Sequence, residues 1–158
     1  MAVRVIRTDE DPILRKQSRE VKEINDRMKV LIEDMFETMD QADGVGLAAP
    51  QVGILRRIIT VDDRDSERFV MINPVIVEKD GSEKGFEGCL SVPGKQGSVD
   101  RATHVIVKYM DIDGNKKEKE ANDFLARILQ HEIDHLDGIL YTDKAEEVFE
   151  ITAEEGEE

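Results

Sequence analysis

The sequence predicts an α+β fold, in which mainly antiparallel sheets wrap around a central helix carrying a His-Glu-x-x-His segment. Three observations predict it. One amphipathic stretch comes early, strand-like segments follow, and a second amphipathic stretch comes late; this segregated order differs from the alternation that builds parallel sheets. Asp111-Ile112-Asp113-Gly114-Asn115 joins two of the strand-like segments and has the composition of a hairpin turn. The late amphipathic stretch places two histidines, His131 and His135, on the same face as apolar side chains.

Taken in order, residues 26–42 form the first helix. Met28, Leu31, Ile32, Met35, Phe36 and Met39 recur at helical spacing, Asn25 is a suitable cap, and Gly44 lies just past the end. Its methionines are explained by core packing. Strands are expected over residues 57–61 and 69–72, where Pro74 should interrupt. Residues 75–78 then lead into a Lys79-Asp80-Gly81 turn. Ser91-Val92-Pro93-Gly94 reads as a further turn. Residues 105–109 and 116–120 flank the hairpin turn, and a second helix spans residues 122–137 with Gly138 as its stop. On that helix Phe124, Ile128, His131 and His135 share one face, and Arg127 lies one turn before His131. Phe124 and Ile128, with Val45, are therefore expected to wall an apolar pocket.

At 158 residues the chain is expected to form one catalytic domain over 1–145, followed by an acidic tail over 146–158. Apolar residues are 39% and charged residues 37% of the chain, the balance of a soluble globular protein. No apolar run approaches the ~18 residues that would span a membrane. Met1-Ala2-Val3-Arg4 lacks an apolar signal core, so a cytoplasmic location is expected. One cysteine excludes an internal disulfide, and a reducing compartment would keep its thiolate available. Twenty-two basic against 36 acidic side chains give a net charge of −14, which disfavours DNA and anionic membranes as partners. Glu146, Glu147, Glu150, Glu154, Glu155, Glu157 and Glu158 concentrate charge in the tail. Its far end, from Thr152, is expected to be mobile, while Val148, Phe149 and Ile151 suit a short docked helix.

His131-Glu132-Ile133-Asp134-His135 points to chemistry. Histidines four apart on a helix project together and clamp one metal ion, with Glu132 between them placed to handle a water proton. A catalytic site needs a third protein ligand and leaves a position for water. Among the remaining candidates, His104 lies upstream in a strand-like segment, whereas Cys89, in Glu87-Gly88-Cys89-Leu90-Ser91, follows a glycine and precedes a turn. Cys89 is the better third ligand. The stretch Gly44-Val45-Gly46-Leu47-Ala48-Ala49-Pro50-Gln51 lacks the lysine and the further glycine of phosphate-binding loops, and a helix rather than a strand precedes it. Gln51 is its polar exception, able to donate to a developing oxyanion.

These three segments, in this order, resemble the signature motifs of the peptide deformylase family, of bacterial type. Asp11-Pro12-Ile13-Leu14-Arg15 and Ile72-Asn73-Pro74 extend the resemblance across most of the chain. The resemblance implies a metal-dependent hydrolase that removes the N-formyl group from the starting methionine of new polypeptides and releases formate. It implies Cys89, His131 and His135 as ligands, and Glu132, Gln51 and the Leu90 backbone N–H as catalytic groups. Val45, Gly46, Phe124, Arg127 and Ile128 are the expected substrate-binding residues. The family typically uses Fe²⁺ in cells, with Zn²⁺ or Ni²⁺ in purified material, and two imidazoles with a thiolate suit all three. N-formylmethionyl nascent peptides are the implied partners, with a transient ribosome contact. Some relatives make that contact with a basic C-terminal helix, and this tail has the opposite sign. Glu87 and Arg101 are candidates to pair and fix the cysteine loop, and Asp134 to hydrogen-bond a ligand histidine. Phe86 and Gln96 depart from commoner patterns of the family, an acidic residue and an arginine. Two rival readings use the same clamp. One is a zinc peptidase, which the placement of Cys89 and Gln51 disfavours. The other is a structural metal module, which would need a fourth protein ligand and leave Glu132 idle.

Overall fold

The computed structural model describes residues 2–8 and 10–151. Helix α1 spans Asp26–Gln41, and the Asn25 side chain caps it by accepting from the Met28 N–H at 3.0 Å. Its inner face buries Leu31, Ile32, Met35 and Met39. Asp43, at φ 55, turns the chain out of the helix, and the Gly44 N–H closes the end on the Met39 carbonyl. The chain then enters β1 (Gly46–Ala48), a single 3-10 turn (Ala49–Val52) and β2 (Ile58–Asp62).

Strand β3 runs from Arg68 to Asp80, through Pro74 rather than ending before it. A break in register between Ile72 and Val75 absorbs the proline. Asn73 sits there at φ 52, and its side chain reaches away from the ladder to the Val21 backbone, accepting from N–H and donating to C=O, each at 2.8 Å. The missing proline N–H therefore falls where the bulge has already interrupted pairing.

Strands β4 (Glu83–Cys89), β5 (Val92–Arg101), β6 (His104–Met110) and β7 (Lys116–Asn122) follow. The turn predicted over residues 91–94 is displaced: Cys89 pairs with Val92, so Leu90 and Ser91 form the connection and Val92 already opens β5. The β6–β7 turn is as expected, with Asp111 Oδ1 accepting from the Asp113 and Asn115 N–H groups and Gly114 at φ 84. Helix α2 (Asp123–Leu136) ends at Gly138, whose φ is 75 and whose added Cβ would lie 2.5 Å from the Arg15 carbonyl oxygen. A short α3 (Tyr141–Lys144) precedes β8 (Glu147–Glu150).

Two antiparallel sheets result, ordered β1-β2-β3-β6-β7 and β4-β5-β8. Helix α2 lays Ala126, Leu129, Ile133 and Leu136 against Ile59, Val61, Met71, Val105 and Val107 of the larger sheet. Helix α1 packs with Leu47, Ile58 and Ile72 into a second core. The α+β architecture with antiparallel sheets around the motif helix is as the sequence predicts. The start of the acidic tail differs: Val148 and Phe149 belong to a strand rather than a helix, because β5 offers an open edge and these side chains favour pleated structure. The expected mobile end, residues 152–158, lies outside the described residues.

Candidate active site

Helix α2 carries His131 and His135 one turn apart, with ring centroids 5.2 Å from each other. The β4–β5 turn brings Cys89 to them: its Sγ lies 3.3 Å from His135 Nε2. Ligand atoms of Cys89, His131 and His135 all lie within 4.8 Å of one another. The donor set, one sulfur and two imidazole nitrogens, is that of a borderline-soft divalent metal with a position to spare. His104, the other histidine, is elsewhere: it bridges Asp80 and Glu120 across the larger sheet.

A second layer fixes the ligands. His131 Nδ1 lies 2.8 Å from Glu87 Oε1, which leaves Nε2 to face the cluster. Glu87 is buried and gripped by two guanidiniums, Arg101 through Nε and Nη2 at 2.8 and 2.9 Å and Arg127 through Nη1 at 2.7 Å. Burial would raise its pKa, but the hydrogen bonds from Arg101 and His131 overcome this and bring it down to about 2. Asp134 does not meet a ligand histidine; it pairs with Arg101 at 2.7 Å and Lys144 at 3.0 Å. The expected Glu87–Arg101 pair is present, and Arg127 belongs to it. The Arg127 guanidinium also donates to the Val99 and Glu83 carbonyls, so its donors support the cysteine loop. His131 stacks on Tyr141 at 6.0 Å between centroids, a contact no spacing in the sequence signals because α3 is a separate element.

Glu132 is buried, with Oε2 3.9 Å from His131 Nε2 and Oε1 without a hydrogen-bond partner among the described residues. Burial pushes it up to about 7, with His131 opposing and Glu87 adding to the rise. It approaches β1 so closely that a Cβ on Gly46 would lie 2.6 Å from Oε2. Burial alone would lower His131, yet Glu132, Cys89 and Glu87 outweigh it and raise it well above its ordinary value. His135 is lowered by its burial and by His131.

Gln51 is buried, and its Oε1 accepts from the Ala48 N–H at 2.9 Å. That contact directs Nε2 to Ser91 Oγ at 3.0 Å, with Cys89 Sγ at 3.6 Å. Ser91 is a site residue the sequence did not single out. A cleft of about 390 Å³ opens on the cluster, and Val45, Gly46, Gln51, Leu90, Ile128 and Glu132 are among its lining residues. Ile128 is buried in its wall, whereas Phe124 lines it while remaining 55% exposed. Seven residues of helix, roughly 10 Å, separate Phe124 from His131, so it stands at the outer rim and not beside the ligands.

A family model described as polypeptide deformylase matches residues 3–149. The peptide deformylase of Agathobacter rectalis is 51% identical over 159 residues, covering 100% of both chains. That of Finegoldia magna is 53% identical over 146 residues, covering 91% of this chain and 90% of its own. Among solved structures, the peptide deformylase of Thermotoga maritima superposes with a TM-score of 0.89 at 41% identity, covering 92% of this chain and 99% of its own. That of Legionella pneumophila gives 0.88 at 43% identity, covering 90% and 85%.

Proposed function

The chain belongs to the polypeptide deformylase family, metal-dependent hydrolases that remove the N-formyl group of nascent polypeptides, and we propose that the Cys89–His131–His135 cluster is the centre where it does so. The observation that carries this assignment is Glu132: a buried carboxylate, unpartnered at one oxygen, beside three metal-type donors at the floor of a cleft.

Cys89, His131 and His135 would hold the ion, which would supply Lewis acidity to water and to the formyl carbonyl. The protein's own groups do the rest. Glu132, buried beside the ligand cluster, takes the proton from the attacking water and delivers it to the nitrogen as the C–N bond breaks. The water oxygen becomes the second oxygen of formate, and the peptide leaves as a free amine. The Gln51 amide, held at Oε1 by the Ala48 N–H and at Nε2 by Ser91, and the Leu90 N–H donate to the oxyanion that develops on the way. Val45, Gly46 and Ile128 enclose the methionine side chain. Glu87, tied to Arg101 and Arg127, keeps His131 in the tautomer that offers Nε2.

We assign Fe²⁺ as the metal in cells, with Zn²⁺ or Ni²⁺ able to occupy the same donors after purification. We take residues 1–145 as the catalytic unit and 146–158 as the acidic tail, whose first part, β8, adds a strand to the smaller sheet. The enzyme works in the cytoplasm on chains still at the ribosome, contacts that ribosome transiently, and binds neither DNA nor membranes, as its net charge of −14 favours. No helix among the described residues is long and apolar enough to cross a membrane.

Anaerobic purification followed by metal analysis and formate measurement tests the reading. One ion per chain is expected, with formate released from formyl-Met peptides and no cleavage of internal peptide bonds. Cleavage of unformylated peptides without formate release would favour a peptidase instead.

A further inference from the structure

We propose that Phe86, backed by Phe149, and Phe124 form an aromatic shelf at the mouth of the cleft that selects apolar side chains at the substrate residue after methionine. This rests on the deformylase reading and extends it to the peptide beyond the first residue.

The chain has five phenylalanines. Phe36 and Phe69 pack against the cores and carry Arg68 and Lys119 over their rings. The other three are the exposed ones, at 65% for Phe86, 55% for Phe124 and 40% for Phe149. They are not scattered. Phe86 and Phe124 both line the cleft, from β4 and α2. Phe149 comes from the far side of the smaller sheet and meets Phe86 edge to face, with centroids 5.8 Å apart and an interplanar angle of 75°. Register explains the meeting. Phe86 pairs with Ser98 on β5, and Phe149 pairs with Gln96 on the same strand, two residues along and therefore on the same face. Two exposed aromatic rings that hold each other in place keep a large apolar surface in water at little further ordering cost on binding.

The position of the shelf decides its occupant. Val45 and Ile128 line the cleft together with Glu132, so on the deformylase reading they receive the methionine side chain when the formyl group reaches Glu132. The peptide that follows must leave through the mouth, where Phe86 and Phe124 stand. Its next side chain passes over the shelf. An apolar side chain there covers aromatic surface, and a small polar one gives up water for nothing. Strand β8, the first part of the acidic tail, thereby supports substrate choice by backing Phe86.

The test compares formyl-Met-Leu-amide with formyl-Met-Ser-amide in the metal-loaded protein. The leucine peptide is expected to have roughly tenfold higher kcat/KM, a ratio typical of one modest apolar contact. Phe86→Ser and Phe149→Ala should each bring that ratio to within about twofold of one, and Phe86→Leu should keep most of it. Val77→Ser, at an exposed apolar residue of β3 away from the cleft, should keep the full ratio. Calorimetric binding of Met-Leu-amide and Met-Ser-amide reads the same preference without turnover. A wild-type ratio near one, or a ratio that survives both Phe86→Ser and Phe149→Ala, overturns the shelf while leaving deformylation intact. Absence of formate from every formyl peptide overturns the deformylase reading and the shelf with it.

Discussion

Among single residues, Glu132 and Cys89 have separable duties that substitution distinguishes. Glu132 sits next to the ligand set but its carboxylate is not one of the three clustered donors. Glu132→Gln preserves shape, so metal content should remain at one per chain while turnover falls at least ~10²-fold, the scale of general acid–base catalysis. Metal analysis and formate release on the same sample decide it; near-normal turnover with full metal would remove Glu132 from the mechanism. Cys89→Ala should lose the ion, read as metal per chain after dialysis, because two imidazoles alone hold a divalent ion weakly. The grouping of Cys89 with the two histidines is legible in the sequence because the i, i+4 pair is a local pattern and the chain has a single cysteine. The groups that hold them are less so. Glu87 lies 44 positions from His131, and Tyr141 reaches it from another helix, so only the folded chain makes them neighbours. Arg127 illustrates the same limit: it lines the cleft as its place on α2 suggests, and only the folded chain shows that its guanidinium also binds Glu87 and two carbonyls.

Elements with their own end signals are legible in the sequence nearly to the residue. Asn25 caps α1, Gly138 stops α2, and the Asp111 side chain folds the β6–β7 turn without outside help. Elements defined by a partner are not. Strand β3 continues through Pro74 because a bulge tolerates it, β5 begins three residues earlier than turn-like composition suggests, and β8 exists because β5 has an edge to offer. Asn73 is the residue that makes the β3 bulge workable, and it can be tested alone. Asn73→Ala removes both of its bonds to Val21 and leaves that N–H and C=O without their partner. Asn73 also holds φ 52, which alanine adopts less readily. Stability should fall by about 1–3 kcal/mol, measured by chemical denaturation. Asn73→Gly relieves the backbone and should recover only the smaller, conformational share. Equal stability of Asn73→Ala and wild type would show that the Val21 contact contributes nothing.

For the whole molecule, two electrostatic effects pull in opposite directions as pH falls. At pH 7 the net charge of −14 makes the folded chain repel itself, so added salt should raise the melting temperature by screening. Protonation of ordinary exposed carboxylates relieves the same repulsion. Against this stand carboxylates whose folded pKa is depressed: Glu87 at about 2, held by Arg101 and His131 against its burial, and Asp34, where the Ala2 N–H and Arg4 likewise overcome burial. A depressed folded value means that the group stabilises the fold above its ordinary pKa and loses that contribution as pH falls through the folded one. For Glu87 the loss runs from about pH 4.5 down to about 2. Stability should therefore hold or rise slightly from pH 7 toward 5, then drop steeply below 4.5, and the benefit of salt should shrink over the same range. Glu87→Gln should flatten the acid limb while lowering stability at neutral pH, because Arg101 and Arg127 lose their charged partner in a buried place. Thermal unfolding of wild type and Glu87→Gln from pH 7 to 3, at low and high salt, measures both limbs. An acid limb of the same slope in both proteins would show that Glu87 does not govern acid stability.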